Sequence, residues 1–176
     1  MKLYDAARCP YCARVRLVLA EKAVSFETVA IDLGNRPPWL YELNPAGKVP
    51  VLDNGFVLPE SAVIMEYLEE AVPEPALLPA DSAARAQARL SVFRFDDLLG
   101  DEYYAMRRGE PNDLDRKLAD LPVGESLFVD FAFVPWVLRA REVYGVSLPA
   151  RVDSWLDDLC ARPGVAAELE IVRGMA

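Results

Sequence analysis

The feature that constrains this chain most is a change of character at a run of prolines, Pro73, Pro75 and Pro79. Proline donates no amide hydrogen and pushes the residue before it out of the helical region, so such a cluster marks a connector between elements. Before it, extended and helical signals alternate. Residues 2–4 suit a strand, and a helix follows from Pro10 to about residue 23, with Val15, Val18 and Leu19 on one face. Residues 26–31 alternate as a second strand, and residues 36–43 hold a short helix at most, stopped by Asn44-Pro45. Two apolar runs, 49–52 and 56–58, flank Asp53-Asn54-Gly55 as a hairpin. Pro59-Glu60-Ser61 then opens a helix striped by Val63, Ile64, Tyr67, Leu68 and Ala71. The order is β-α-β-α-β-β-α.

After the prolines only helices are expected. Residues 83–107 read as one helix carrying Leu90, Phe93 and Leu98, residues 114–121 as a short one, and residues 128–143 as a strongly apolar one. A last helix includes residues 155–160 and ends before Arg162-Pro163-Gly164. The pattern divides the chain into an α/β domain over residues 1–75, a linker over 76–82 and an all-helical domain over 83–176.

Composition removes several functions. The chain has 176 residues, of which 53% are hydrophobic, enough for a real core. It contains no histidine, so a Ser-His-Asp triad, a Cys-His pair, a haem on a proximal imidazole and any zinc site needing a nitrogen ligand are ruled out. Three cysteines cannot hold a four-thiolate cluster. The net charge of −9, shared by both halves, leaves no basic face for phosphates, so no nucleic-acid partner is expected. Neither a signal-peptide pattern nor an apolar run near the ~20 residues that span a bilayer is present. The expected location is therefore cytoplasmic, with no membrane partner. In that reducing compartment, closely spaced cysteines point to catalysis or metal binding rather than to staples.

Cys9-Pro10-Tyr11-Cys12 has that spacing, after a strand and at a helix start. A sulfur at a helix N-terminus meets amide N–H groups and the positive end of the dipole, which can bring a thiol to about 3.5–7.5. Cys9 would attack, and Cys12, one turn on, would resolve a mixed disulfide. With no second such pair and no histidine, no metal site is expected within one chain, which leaves only a metal shared between two chains. Lys48-Val49-Pro50 opens a strand, and its Val-Pro bond can be trans or cis; the cis form turns the Val49 backbone toward the helix start that bears Cys9. Glu60-Ser61 is either a helix cap or an anion and amino-acid site. Phe93 and Phe95 read as core, Tyr4 as strand packing and Cys160 as a buried, inert side chain. Tyr103 and Tyr104, near Arg107 and Arg108, are the candidates for a second-substrate pocket.

The order CPYC, NPAGKVPVL (residues 44–52), PES (residues 59–61), proline linker and all-helical half resembles the glutathione transferase superfamily over almost the whole chain. The run WLDDLCARPGVAAEL (residues 155–169) is similar to that family's closing helix. The resemblance implies a thioredoxin-like N-terminal domain that binds glutathione, followed by a shortened all-helical domain that supplies part of the second-substrate pocket. It implies that Val49, beside cis Pro50, pairs with the cysteinyl backbone of glutathione, that Glu60 and Ser61 hold its γ-glutamyl end, and that Lys48 meets its glycyl carboxylate. Tyr11 would line the site. A cysteine at the helix start is similar to the omega-type and glutaredoxin-like members, so the implied activity is thiol transfer or reduction through a mixed disulfide. Disulfides, dehydroascorbate-like electrophiles and glutathionyl-quinones are the candidate substrate classes. Glutathione or another low-molecular-weight thiol is the implied co-substrate, and a homodimer the implied assembly. The alternative is a non-catalytic adaptor on the same scaffold, similar in type to stringent starvation protein A. The chain departs from the family in its short helical domain and in having Leu127, rather than serine or threonine, three residues before Asp130, with Ser126 one residue early as the substitute cap.

Overall fold

A computed structural model describes residues 1–175 and divides the chain into two compact units, Met1–Pro75 and Ala76–Ala176. In the first unit the elements are β1 (Lys2–Asp5), α1 (Pro10–Glu21), β2 (Glu27–Ala30), α2 (Leu40–Leu43), β3 (Val51–Asp53), β4 (Val57–Pro59) and α3 (Ser61–Ala71). They form one mixed sheet in the order β2-β1-β3-β4. Strand β1 pairs parallel with β2, Leu3 opposite Thr28, because α1 returns the chain in the same direction. It pairs antiparallel with β3, Leu3 opposite Leu52, and β3 continues through the Asn54-Gly55 turn into β4, Leu52 opposite Leu58. Leu3 and Leu52 are fully buried, and α1 packs against α3. The buried Lys22 ammonium closes the unit: it donates to the Val72 and Pro75 carbonyls at 2.6 and 2.9 Å and pairs with Glu69 at 2.7 Å. The expected stripe of α3 is shifted. Met65 is buried beside Ile64 and Leu68, while Val63 and Ala71 face outward.

The second unit is helical: α4 (Ser82–Phe93), a π-helical turn (Asp96–Gly100), α5 (Asp101–Arg107), α6 (Leu114–Ala119), α7 (Leu127–Glu142), α8 (Ala150–Cys160) and α9 (Pro163–Arg173). The single helix expected over 83–107 is thus broken. Its buried residues are Ala88, Val92, Phe95, Leu99 and Tyr103, not Leu90 and Phe93, and Phe93 is 87% exposed. Ala88, Val92 and Phe95 form one helical face, and the π turn that follows keeps Leu99 and Tyr103 on it. Phe95 is driven onto Trp136 and Phe133, with ring centroids 4.3 and 5.6 Å away. Gly100 is required here, since a Cβ would stand 2.7 Å from the Phe95 ring and 2.6 Å from the Asp96 carboxylate.

Helix α7 is the axis of this core, buried on all sides from Phe128 to Ala140. Its internal Pro135 has a carbonyl that accepts from Arg139 at 2.7 Å, and the same guanidinium pairs with buried Glu168 at 2.9 Å. The helix does have a cap: the Ser126 hydroxyl accepts from the Val129 N–H at 3.4 Å. Asp130 is then free to accept from the Gly124 N–H at 2.8 Å and from Trp155 Nε1 at 2.9 Å. The chain also does not end its helices at Cys160. Pro163 opens α9, where its missing N–H costs nothing, so the Pro-Gly that reads as a stop is a start.

Candidate active site

The short connection from β1 to α1 places Cys9 at the N-cap of α1, in an extended conformation and without a side-chain cap bond. Pro10 occupies the first turn, where no N–H is needed. Cys12 lies one turn further on and has no exposed surface, whereas Cys9 keeps 8%. No disulfide joins them. Cys9 Sγ lies 3.9 Å from the Val49 carbonyl, toward which its thiol donates, and the Ala6 N–H donates to Cys12 Sγ at 3.5 Å. Burial pushes the Cys12 thiol far up, and the neighbouring Cys9 and Asp5 add to that rise. The two sulfurs therefore differ: Cys12 is held as a thiol, and Cys9 sits at the rim of a buried cluster with Ala6, Ile31, Leu40 and Val49, edged by Tyr11 and Tyr4. Tyr4 packs on Trp39 with ring centroids 5.6 Å apart.

The loop before β3 is built by Asn44. Its side chain accepts from the Ala46 N–H at 3.1 Å and donates to the Lys48 carbonyl at 3.0 Å, closing a tight turn. Gly47 has φ +60°, and a Cβ there would stand 2.5 Å from the Tyr41 ring, so this turn admits glycine alone. The turn delivers Val49 and a cis Val49–Pro50 bond beside Cys9. Among the described residues the Val49 N–H makes no hydrogen bond, and the exposed Lys48 ammonium has no partner.

Glu60 stands between β4 and α3 with φ 71°, a left-handed backbone that costs a non-glycine residue on the order of 1–3 kcal/mol. Its carboxylate is exposed and has no hydrogen-bond or ion-pair partner among the described residues, while Ser61 is buried at the first position of α3. Arg14 links this end to the thiols. Its buried guanidinium approaches the Ser61 hydroxyl at 3.4 Å and lies over the Tyr11 ring, 5.3 Å from its centroid. Sequence reasoning missed Arg14, although it stands three residues after Tyr11 and four before Val18, which puts it on the buried face.

Tyr103 and Tyr104 stand in α5 of the helical unit. Tyr103 is a packed side chain, 1% exposed, and burial pushes its hydroxyl up. Tyr104 is half-buried and accepts from Trp136 Nε1 at 3.3 Å. Cys160 is half-buried, with its thiol also raised by burial. Among the described residues no three histidine, cysteine, aspartate or glutamate side chains gather in a way that could hold a metal ion, and no helix is long and apolar enough to cross a membrane.

Comparison with known proteins gives the site a context. Residues 3–76 match the family model of the glutathione S-transferase N-terminal domain. Over 193 aligned residues the chain is 32% identical to the pyrimidodiazepine synthase of Drosophila melanogaster, covering 95% of this chain and 79% of that protein. It is 40% identical over 121 residues to the stringent starvation protein A homolog of Pasteurella multocida, covering 68% of this chain and 56% of that protein. Glutathione transferase Omega 2C from Trametes versicolor superposes with a TM-score of 0.82 at 25% identity, over 98% of this chain and 97% of that one. The chain thus spans most of the first relative and little more than half of the second.

Proposed function

Since the chain belongs to the glutathione transferase superfamily, we propose that it is a glutathione-dependent thiol transferase whose nucleophile is Cys9. The observation that carries this reading is the inequality of the two thiols: Cys12 is sealed and kept protonated, while Cys9 opens α1 next to the Val49 carbonyl. Helix N-termini favour thiolate, and thiolate is the attacking form. In the proposed cycle, Cys9 thiolate attacks one sulfur of a glutathione mixed disulfide, forming Cys9–S–S–glutathione and releasing the other thiol as thiolate. A second glutathione thiolate then attacks the glutathionyl sulfur, giving oxidised glutathione and restoring Cys9 thiolate. The net change is exchange: the mixed disulfide and one glutathione thiol become the free substrate thiol and oxidised glutathione, with Cys9 unchanged. Where the second thiol is slow to arrive, Cys12 can lose its proton, displace glutathione and close a Cys9–Cys12 disulfide.

The groups around Cys9 support glutathione as the co-substrate. The unengaged Val49 N–H suits the peptide backbone of a bound thiol, in the manner of an added strand. Exposed Lys48 and Glu60 offer a cation and an anion without internal partners, matching the glycyl carboxylate and the γ-glutamyl ammonium, and Ser61 at the start of α3 suits the γ-glutamyl carboxylate.

Intact-mass analysis after addition of oxidised glutathione tests the proposal. The expected result is one glutathionyl adduct at Cys9, or the loss of two mass units as Cys9–Cys12 closes. The 40% identity to a stringent starvation protein A homolog favours the second reading, a partner-binding adaptor; a mass unchanged under every oxidant would select it and overturn the first.

A further inference from the structure

We propose that Asp5 and Arg16 are positioning residues that set how readily Cys12 displaces a thiol from Cys9, and so whether the protein turns over with one cysteine or with two. Ala6 touches both cysteines. Its N–H donates to Cys12 Sγ at 3.5 Å, and its carbonyl accepts from the Cys9 N–H at 2.8 Å. Arg16 grips the residues on either side of Ala6: Nη1 donates to the Asp5 carboxylate at 2.5 Å and Nη2 to the Ala7 carbonyl at 3.1 Å. One guanidinium fork thus braces residues 5–7 against α1, with a directionality that a lysine ammonium lacks.

The clamp also carries charge. Asp5 ends β1 as a buried anion, and Arg16, half-buried, is the cation that compensates it. The Asp5 charge disfavours the Cys12 thiolate, as Cys9 does, whereas the Ala6 N–H favours it. Around the thiols, Ala6, Ile31, Leu40 and Val49 carry no charge, and Tyr4 and Tyr11 edge the cluster from β1 and α1. The Asp5–Arg16 balance therefore adjusts the cost of ionising Cys12. In the step it controls, Cys12 gives its proton to water and its thiolate attacks Cys9 Sγ of a Cys9 mixed disulfide. A Cys9–Cys12 bond forms, the bond from Cys9 to the outgoing sulfur breaks, and that sulfur leaves as thiolate. Removing the anion eases this step; removing the cation leaves Asp5 unpaired and Ala6 unbraced, and slows it. The inference rests on Cys9 and Cys12 as the reacting thiols of the proposed function, and not on glutathione as their partner.

The test mixes the full chain, carrying Cys160→Ser, with one equivalent of dithiobis(nitrobenzoate), an aryl disulfide that needs no glutathione site. Attack by Cys9 releases a first aryl thiolate and closure by Cys12 a second, both read by absorbance, and intact mass confirms the loss of two mass units. At one pH, Asp5→Asn is expected to speed the second phase about tenfold and Arg16→Met to slow it about tenfold, a factor of ten matching one pH unit along the rate profile. Arg16→Lys, which keeps the charge and loses the fork, should fall between Arg16→Met and the parent, and replaces Arg16→Met if that variant does not fold. The Asp5→Asn profile should be displaced to lower pH. Unfolding midpoints are measured beside the rates, since a purely structural clamp would lower stability in both variants and shift the second phase in one direction. Such a common shift, an Asp5→Asn profile that superposes on the parent, or a parent that releases no second aryl thiolate would each overturn the proposal. Failure of the glutathione reading shows separately, as a parent that reacts with the aryl disulfide but takes no adduct from oxidised glutathione.

Discussion

The starts of α1 and α7 are both helix openings fed by a loop, and they treat their polar groups in opposite ways. At α7, Ser126 caps the Val129 N–H, and Asp130 ties the preceding loop to Trp155. At α1, the capping position is given to Cys9, whose side chain makes no cap bond, and the Val49 N–H, Lys48 and Glu60 have no internal partners among the described residues. A satisfied helix start adds to stability. An unsatisfied one forgoes about 1 kcal/mol of capping and leaves its field and donors for a ligand. The contrast separates scaffold from site within one chain.

The largest expected effect breaks the α1 side. Cys9→Ser should remove all disulfide exchange, because an alkoxide forms no disulfide, while Cys12→Ser keeps a monothiol reaction and accumulates the Cys9 adduct, read by intact mass. Equal activity in both variants would put the chemistry elsewhere. In the helical unit, Phe95→Ala should cost about 3–5 kcal/mol in denaturant unfolding, whereas Phe93→Ser should change stability by less than about 0.5 kcal/mol. A similar cost for both would contradict the burial of Phe95 against α7 and the exposure of Phe93.

Asp130→Ala strips the acceptor from the Gly124 N–H, which is exposed, and from the half-buried Trp155 Nε1, and should cost about 1–2 kcal/mol near neutral pH. Burial raises the Asp130 carboxyl above its usual 3.8, despite the opposing pull of the Gly124 and Trp155 hydrogen bonds. The folded chain then holds that proton more tightly than the unfolded one, so its contribution to stability is greatest below 3.8 and declines as pH rises through the raised value. Asp130→Asn should flatten this decline in urea midpoints measured across it. The smallest effects belong to the exposed charges at the site. Lys48→Met and Glu60→Gln should each raise the KM for glutathione about two- to fivefold and leave stability unchanged; unfolding without a KM change would make them scaffold after all.

Much of the first unit is legible from local rules. The β-α-β-α-β-β-α order follows from the strand and helix periods, the Asn54-Gly55 hairpin and the Asn44-Pro45 stop, the two-part fold from the prolines at 73–79, and the thioredoxin-like character from the family resemblance. The helical half is less legible. Phe93 and Phe95 are both apolar residues of one helical run, and Phe95 turns inward because it continues the face of Ala88 and Val92 and meets Phe133 and Trp136 of α7, while Phe93 falls on the solvent side. Pro163 is ambiguous for a related reason: proline both ends one helix and begins the next.

At the site, the sequence by itself determined which groups are available: two thiols at a helix start, no imidazole to serve as their base, and charged residues at Lys48 and Glu60. Those are properties of side-chain chemistry and local spacing, which need no distant contact. What tertiary structure decided is how they differ. Cys12 is the sealed thiol because β1, α1 and the Val49 loop close over it, and Arg14 lies between Ser61 and Tyr11 because α1 packs against α3. Burial depends on what arrives from elsewhere in the chain, and burial is what makes two cysteines three residues apart unequal.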